Sequence, residues 1–398
     1  MTGLWESEER IALRDTVTAF TQREILPHLD DWEAGGLLPR ELHKKAGDLG
    51  LLGVSFPESV GGGGGDPRDA LIVCEAMHEA GGSGGLFASL FTCGISVPHI
   101  ILAGTEEQKQ MWVAPVLAGE KISSLALTEP GGGSDLGHLT TTARRDGEHY
   151  IVNGAKTFIT SGVRADWVVT AVRTGGEGAS GISLLVIPKG LDGFEVSAPL
   201  KKMGWLASDT AELSFTDVRV PAENLIGPEN SGFLMIGAAF VTERLALAVQ
   251  AYSHAQRCLD LTLDWVRTRE TFGQPLIKRQ AVQNTVTEMR RRTEVARVYS
   301  RHVADLYTDA LGIDGSATDP MRGAAAAAEL VPQACFAKNT AVETAEWVAN
   351  EAVQLFGGHG YMAEYEVSRH YRDVRILGIG GGTTQILTTL AANRLGYT

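Results

Sequence analysis

TTTARRDGEHYIVNGAKTFITSG, Thr140 to Gly162, alternates apolar and polar side chains on either side of an Asp146-Gly147 pair. Its β-branched and aromatic residues suit a pleated, half-buried surface, and Asp-Gly and Asn-Gly favour hairpin turns. The stretch reads as strands separated by turns at Asp146-Gly147 and Asn153-Gly154. The same period extends outward through SSLALTEP, DWVVTAVRT, GISLLVIPKG, GFEVSAPL and TAELSFTDVRVP. A compact, β-barrel-like central domain is therefore expected over residues 121–228.

Beyond those limits the apolar spacing becomes helical. In LPRELHKKAGDLGLLG, Leu42, Ala46 and Leu49 share one face, with Pro39 near the start and Gly50 at the end. DPRDALIVCEAMHEAGG puts Ala70, Cys74 and Met77 in register, and TEEQKQMWVAPVLAG opens with a capping-box pattern from Thr105 to Gln108. Residues 1–120 thus read as a helical N-terminal domain, with SVGGGGGD as a flexible surface loop. Helices are predicted over 231–267, 277–307, 322–356 and 384–395, a four-helix bundle within residues 229–398. The Ala324–Ala328 run favours helix. The fold class is multidomain α and β.

A net charge of −13, from 35 basic and 48 acidic residues, argues against nucleic acid or an anionic membrane as the main partner. It leaves room for a small anion held by local arginines. Cys74, Cys93, Cys258 and Cys335 match neither a CxxC pair nor a metal-ligand spacing, so free thiols in a reducing compartment and no metal are expected. The opening MTGLWESEERIALRDTV lacks an apolar signal region, and no uninterrupted apolar run approaches the ~20 residues of a membrane helix. A cytoplasmic protein is the expectation.

Three glycine motifs need separate readings. Gly358-x-Gly360-x-x-Ala363 has the letters of a dinucleotide fingerprint, but it follows a helix-patterned segment where that motif requires a strand. EPGGGSD lies between strands, where such a turn offers main-chain N–H groups to an anionic or carbonyl-bearing ligand. RILGIGGGTTQIL, Arg375 to Leu387, places three glycines before the last helix and carries no carboxylate. Any proton acceptor there must come from elsewhere.

ALTEPGGGSD, VNGAKTFITSG, RTRETFGQPL, QLFGGHGYMAEYEVSRHYRDVRI and GGGTTQI occur in that order. On these motifs the chain resembles the acyl-CoA dehydrogenase family over nearly its whole length. The resemblance implies a flavoprotein oxidoreductase of fatty acid metabolism, with FAD between the β domain and the bundle of a homotetramer. Leu127, Thr128, Gly133 and Ser134 are implied to line the flavin, Ser134 also meeting substrate. Phe158 and Thr160 resemble the pair that covers the ring and bonds near its N5; Trp is commoner at the Phe158 position. Arg269, Phe272, Gln354 and Gly358 resemble positions reaching the pyrophosphate and adenosine of a neighbouring subunit's FAD, and Thr383 and Gln385 further pyrophosphate and ribose contacts. On the residues alone, Phe272 reads as core and Gln354 as a capped helix residue.

Most relatives carry a glutamate one residue ahead of the Gly-Thr pair in the loop before the last helix. Here that position is Gly381. The reaction needs a base for the α-proton, and Glu243 in AAFVTERLALAVQ is the candidate. Its helical neighbours Ile236, Ala239, Phe240, Ala246, Leu247 and Gln250 are almost all apolar, and burial makes a carboxylate a stronger base. TERL resembles the isovaleryl-CoA and long-chain branch, whose base lies in the first bundle helix. The residues themselves leave open an ion pair of Glu243 with Arg244 or Arg292. Arg244, about 100° around the helix, is implied to lie near CoA; the family's acid two positions before the base is Val241 here. The Gly381 N–H, with a flavin ribityl hydroxyl, is expected to polarise the thioester carbonyl. Gly380, where bulkier aromatics are common, is expected to leave room for a branched or bulky acyl chain.

The expected reaction is FAD-dependent α,β-dehydrogenation of an acyl-CoA to trans-2-enoyl-CoA, with an electron-transferring flavoprotein as oxidant. Two rivals keep the fold. An O2-using acyl-CoA oxidase or flavin monooxygenase relative would make peroxide in air, and a non-catalytic partner subunit would be colourless.

Overall fold

Alternation through the middle of the chain builds one sheet with an apolar core on each face. The computed structural model describes residues 3–311, 325 and 327–397. Strands β1 (Ser123–Ala126), β2 (Thr142–Asp146), β3 (His149–Thr160), β4 (Trp167–Arg173), β5 (Ile182–Pro188), β6 (Phe194–Val196), β7 (Thr210–Pro221) and β8 (Leu225–Ile226) form a mixed sheet. Its order is β6-β7-β3-β2-β4-β5-β8, with β1 parallel beside β4. Successive β4 side chains face opposite ways: Val168 and Val172 pack with Tyr150 and Leu213 inside the β domain, while Trp167, Val169 and Ala171 join the helical domain's core. The barrel-like wrap is open between the end strands β6 and β8.

Gly147, at φ +60°, turns β2 into β3 as expected. The second expected turn is a bulge. β3 runs on through Asn153-Gly154, and its register against β7 shifts between Val152 and Gly154. Asn153 commits its amide to the partner strand: Nδ2 donates to Asp217 Oδ1 at 2.9 Å, and Oδ1 accepts from the Asp217 N–H at 2.8 Å. Gly154 sits so close to Thr141 that a Cβ would lie 2.6 Å from its hydroxyl oxygen.

The N-terminal domain contains α1 (Glu8–Phe20), α2 (Leu29–Gly35), α3 (Arg40–Asp48), α4 (Pro67–Glu79), α5 (Gly84–Leu90) and α6 (Cys93–Ala103). The Thr105–Gln108 capping box closes in both directions, at 3.2 and 3.0 Å. SVGGGGGD is a surface loop as expected, but it is tied by main-chain hydrogen bonds rather than free. The N–H groups of Gly62, Gly63, Gly64 and Gly65 donate to the carbonyls of Pro57, Gly53, Phe56 and Val54. A Cβ on Gly62 would stand 2.2 Å from the Phe56 oxygen. The glycines serve a close backbone approach, not freedom.

The C-terminal domain contains α7 (Gly232–Thr268), α8 (Gln280–Leu311), α9 (Val331–Phe356), α10 (Glu366–Val374) and α11 (Thr384–Arg394). α7 packs along α8 and α9, and α11 lies on α9. The expected start of the third bundle helix, Arg322, and Ala324 and Ala326 of the alanine run lie outside the described residues. α9 begins with Pro332 in its first turn, where a missing N–H is tolerated. Met235 and Ile236, in the first turns of α7, belong to the core shared with α6, and the later turns belong to the bundle core. Glu75 of α4, 1% exposed, binds Arg14 of α1 at 2.8 Å and Arg301 of α8 at 2.7 Å, tying the two helical domains together.

One negative expectation needs correction. Gly84–Ala103 and Gly232–Thr268 are long and apolar enough by composition to cross a bilayer, yet 50% and 44% of their apolar windows are buried inside the protein. Their apolarity feeds the two helical cores.

Candidate active site

Glu243 stands near the end of the third turn of α7, and its carboxylate meets the glycine loop ahead of α11. An ideal Cβ on Gly381 would lie 3.3 Å from Glu243 Oε1, 3.7 Å from Lys338 Nζ and 2.5 Å from Leu247 Cδ1. Glu243 makes no hydrogen bond or ion pair among the described residues. Arg292 instead binds Glu288 at 2.7 Å and lies over the Trp347 ring. Arg244 is 6% exposed, stacks on Phe240 at 5.3 Å, and its Nε has no partner among the described residues. Neither arginine forms the alternative ion pair. Burial raises the Glu243 pKa, and the more distant charges of Arg244 and Lys338 offset it only in part.

The glycine loop has its own support. Gly381 and Gly382 adopt φ of +63° and +94°, conformations natural to glycine. Lys338 of α9, fully buried, donates through Nζ to the carbonyls of Gly380 and of Gly382, the latter at 2.6 Å. The N–H groups of Gly381 and Gly382 have no acceptor among the described residues, so they remain available to a ligand. Thr383 caps α11, its Oγ1 accepting from the Ile386 N–H at 3.3 Å, and Gln385 is exposed. A Cβ on Gly380 would meet only the Ile376 carbonyl, at 3.6 Å.

The β-domain wall is braced in the same manner. Leu127, at the end of β1, shares an apolar cluster with Ile236 and Phe240 of α7. Its carbonyl accepts from Lys156 Nζ at 3.1 Å, and the Thr128 carbonyl accepts from the Thr157 N–H at 2.9 Å. Glu129 accepts from Lys156 Nζ at 2.8 Å and from the N–H groups of Thr140 and Thr141. Burial is outweighed by those bonds, holding Glu129 down at about 2, while burial brings Lys156 down to about 8. The glycine turn that follows carries Gly133 half-buried and Ser134 exposed. Phe158, at φ +60° and 69% exposed, sits where the β3 register against β7 shifts between Lys156 and Ile159, and pairing has resumed at Thr160 with Thr210. A left-handed, solvent-facing phenylalanine costs about 1–3 kcal/mol and points to a ligand that covers it.

The remaining residues lie elsewhere. Arg269 is 26 positions after Glu243, which on a helix is about 39 Å. Phe272, 96% exposed at φ +50°, caps the hairpin of β9 (Glu270–Thr271) and β10 (Gln274–Pro275). It is not core. Gln354, exposed, and Gly358 belong to the same end, where Trp265 stacks on Phe356 at 4.6 Å. The chain therefore presents two separate groups of expected site residues.

Family descriptions for the N-terminal, middle and C-terminal domains of acyl-CoA dehydrogenase match residues 7–120, 124–218 and 230–396. The mitochondrial long-chain specific acyl-CoA dehydrogenase of Sus scrofa is 38% identical over 98% of this chain and 87% of its own. The chain belongs to the acyl-CoA dehydrogenase family. A Mycobacterium smegmatis crystal structure assigned to these dehydrogenases superposes with a TM-score of 0.94 at 61% identity, covering all of both chains. A Bacillus anthracis acyl-CoA dehydrogenase complexed with FAD gives 0.92 at 32%, covering 98% of this chain and 68% of that one. The protein is thus an FAD-dependent oxidoreductase of acyl-CoA thioesters. The exposed, left-handed Phe158 ring fits a flat cofactor that covers it.

Two supports of this dehydrogenase site were missed in the sequence, Lys156 with Glu129 and Lys338. A signal for the last existed. Ala334, Cys335, Ala341, Val342 and Ala345 are buried around Lys338 at helical spacing, the same pattern that exposes Glu243 as anomalous.

Proposed function

We propose that Glu243 takes the α-proton of an acyl-CoA thioester at its carboxylate, producing a trans-2-enoyl-CoA. Bound FAD supplies the hydride acceptor for the β-hydrogen. The Gly381 N–H donates to the thioester carbonyl, where negative charge grows as the proton leaves; such a donor lowers the barrier by about 3 kcal/mol. Leu247, one turn on, brings an apolar side chain to the same point at Gly381. The single observation carrying this reading is the 3.3 Å between Glu243 Oε1 and the point where a side chain on residue 381 would begin. One carboxylate reaches the place that the other would occupy.

Anaerobic mixing with a panel of acyl-CoAs tests it. Glu243→Gln should purify yellow and fail to bleach, and full bleaching by that variant would move the base elsewhere. Open space at Gly380 favours a branched or bulky acyl chain, so the same panel should bleach the wild type faster with branched thioesters than with short straight ones.

The finer assignments belong to this reading. Leu127, Thr128, Gly133, Ser134, Phe158 and Thr160 hold the isoalloxazine, Thr383 and Gln385 the pyrophosphate and ribose, and Arg244 the CoA side. Arg269, Phe272, Gln354 and Gly358 complete the flavin site of another copy in a homotetramer, as their distance from Glu243 supports. An electron-transferring flavoprotein reoxidises the enzyme. The four buried free cysteines favour a cytoplasmic role in fatty acid metabolism.

A further inference from the structure

Among the described residues, Lys338 is the charged side chain bonded to the glycine loop, and the proposed chemistry leaves it without a role. It is 0% exposed, and no carboxylate lies within ion-pairing distance among the described residues. Burying an ammonium without a counter-ion is expensive. Two carbonyls could be satisfied by a water or a neutral amide, so hydrogen bonding alone gives no reason for the charge.

The geometry supplies one. The carbonyl of Gly380 and the N–H of Gly381 are opposite ends of a single peptide unit. An ammonium on the carbonyl fixes the direction of that N–H and polarises it into a stronger donor. Gly382, on the other side of Gly381, is held by the same nitrogen. Glu243 Oε1 and Lys338 Nζ lie 3.3 and 3.7 Å from one point, which bounds their separation at roughly 7 Å, inside a Debye length. They are close enough to feel each other and too far apart to pair.

We propose that Lys338 is the positioning residue of proton abstraction: it aims and polarises the Gly380–Gly381 peptide toward the thioester oxygen and biases Glu243 toward its charged form without engaging it. This rests on the reading of Glu243 as base. The charged groups acting on Glu243 are Arg244 on its own helix and Lys338 on α9, with the Cys335 thiol beside those two cations; Lys338 is the cation shared between carboxylate and loop. Burial lowers the Lys338 pKa to about 8, partly offset by Glu243, so its proton is held at neutral pH and lost above it.

The test uses FAD-loaded wild type, Lys338→Met, Lys338→Arg and Glu243→Gln, with anaerobic bleaching rates from pH 5 to 10. Amide hydrogen exchange at residues 380–382 and flavin content are followed in parallel. Lys338→Met should retain flavin, bleach about tenfold or more slowly at pH 7 with KM little changed, and lose amide protection in the loop. Its acid limb should move to higher pH, because removing a cation raises the Glu243 pKa. Lys338→Arg should restore the acid limb and abolish the wild-type decline near pH 8. A Lys338→Met profile that superposes on wild type, or an alkaline decline unchanged in Lys338→Arg, overturns the proposal. Should Lys338→Met come out colourless, the arginine variant and the wild-type alkaline limb decide it. If Glu243→Gln bleaches normally the base assignment fails; if that variant is inert while Lys338→Met is normal, only the role of Lys338 fails.

Discussion

At Gly381, a Cβ would strike Leu247 Cδ1 at 2.5 Å, and the backbone already sits at φ +63°. Gly381→Ala should lower stability by about 1–2 kcal/mol and slow anaerobic bleaching, measured by thermal melting and stopped flow. Phe158 presents the opposite case, strain kept for a ligand. Phe158→Gly relieves its left-handed backbone, so the flavin-free protein should melt higher while flavin retention falls in a dilution assay. Glu243 was legible because a carboxylate on an apolar stripe is anomalous. Lys338 sits on an equally apolar stripe, but its partners are main-chain carbonyls 42 and 44 positions away, and no local pattern encodes such a contact.

Among the elements, β3 and the turn after β1 are coupled through Glu129 and Lys156. The Glu129 pKa is depressed to about 2 by the bonds from Lys156, Thr140 and Thr141, which outweigh burial. Its stabilising contribution is therefore present above pH 4.5 and lost as pH falls from there toward 2. Flavin release from the wild type should rise through that window when followed by fluorescence. Glu129→Gln should bind flavin more weakly at neutral pH and lose this dependence. Strands and helices were readable here because period two and period 3.6 act over short range. The order within the glycine run 61–65 and the bulge at Asn153-Gly154 were missed for the complementary reason. Their local chemistry suits loops and turns, but their hydrogen bonds go to segments that the run itself does not specify.

For the whole molecule, the separation of about 39 Å between Glu243 and Arg269 along one helix is the ground for the proposed flavin site shared between copies. Arg269→Glu should therefore release flavin and shift sedimentation toward smaller species while leaving the Glu243 end intact, as judged by unchanged loop protection in amide exchange. Sedimentation as a flavin-loaded monomer would contradict the shared site. Three domains were legible from periodicity. Their mutual placement was not, since the contacts of Glu75 with Arg14 and Arg301 join segments 61 and 226 residues apart.

The slot beside Gly381 also constrains ancestry. A second acid there would push the flexible tip of Leu247 aside and start 3.3 Å from the Glu243 oxygen, so the two carboxylates would compete for one proton. The two placements of the proton acceptor are therefore rivals kept apart by like charge, and each works best where the other is lacking.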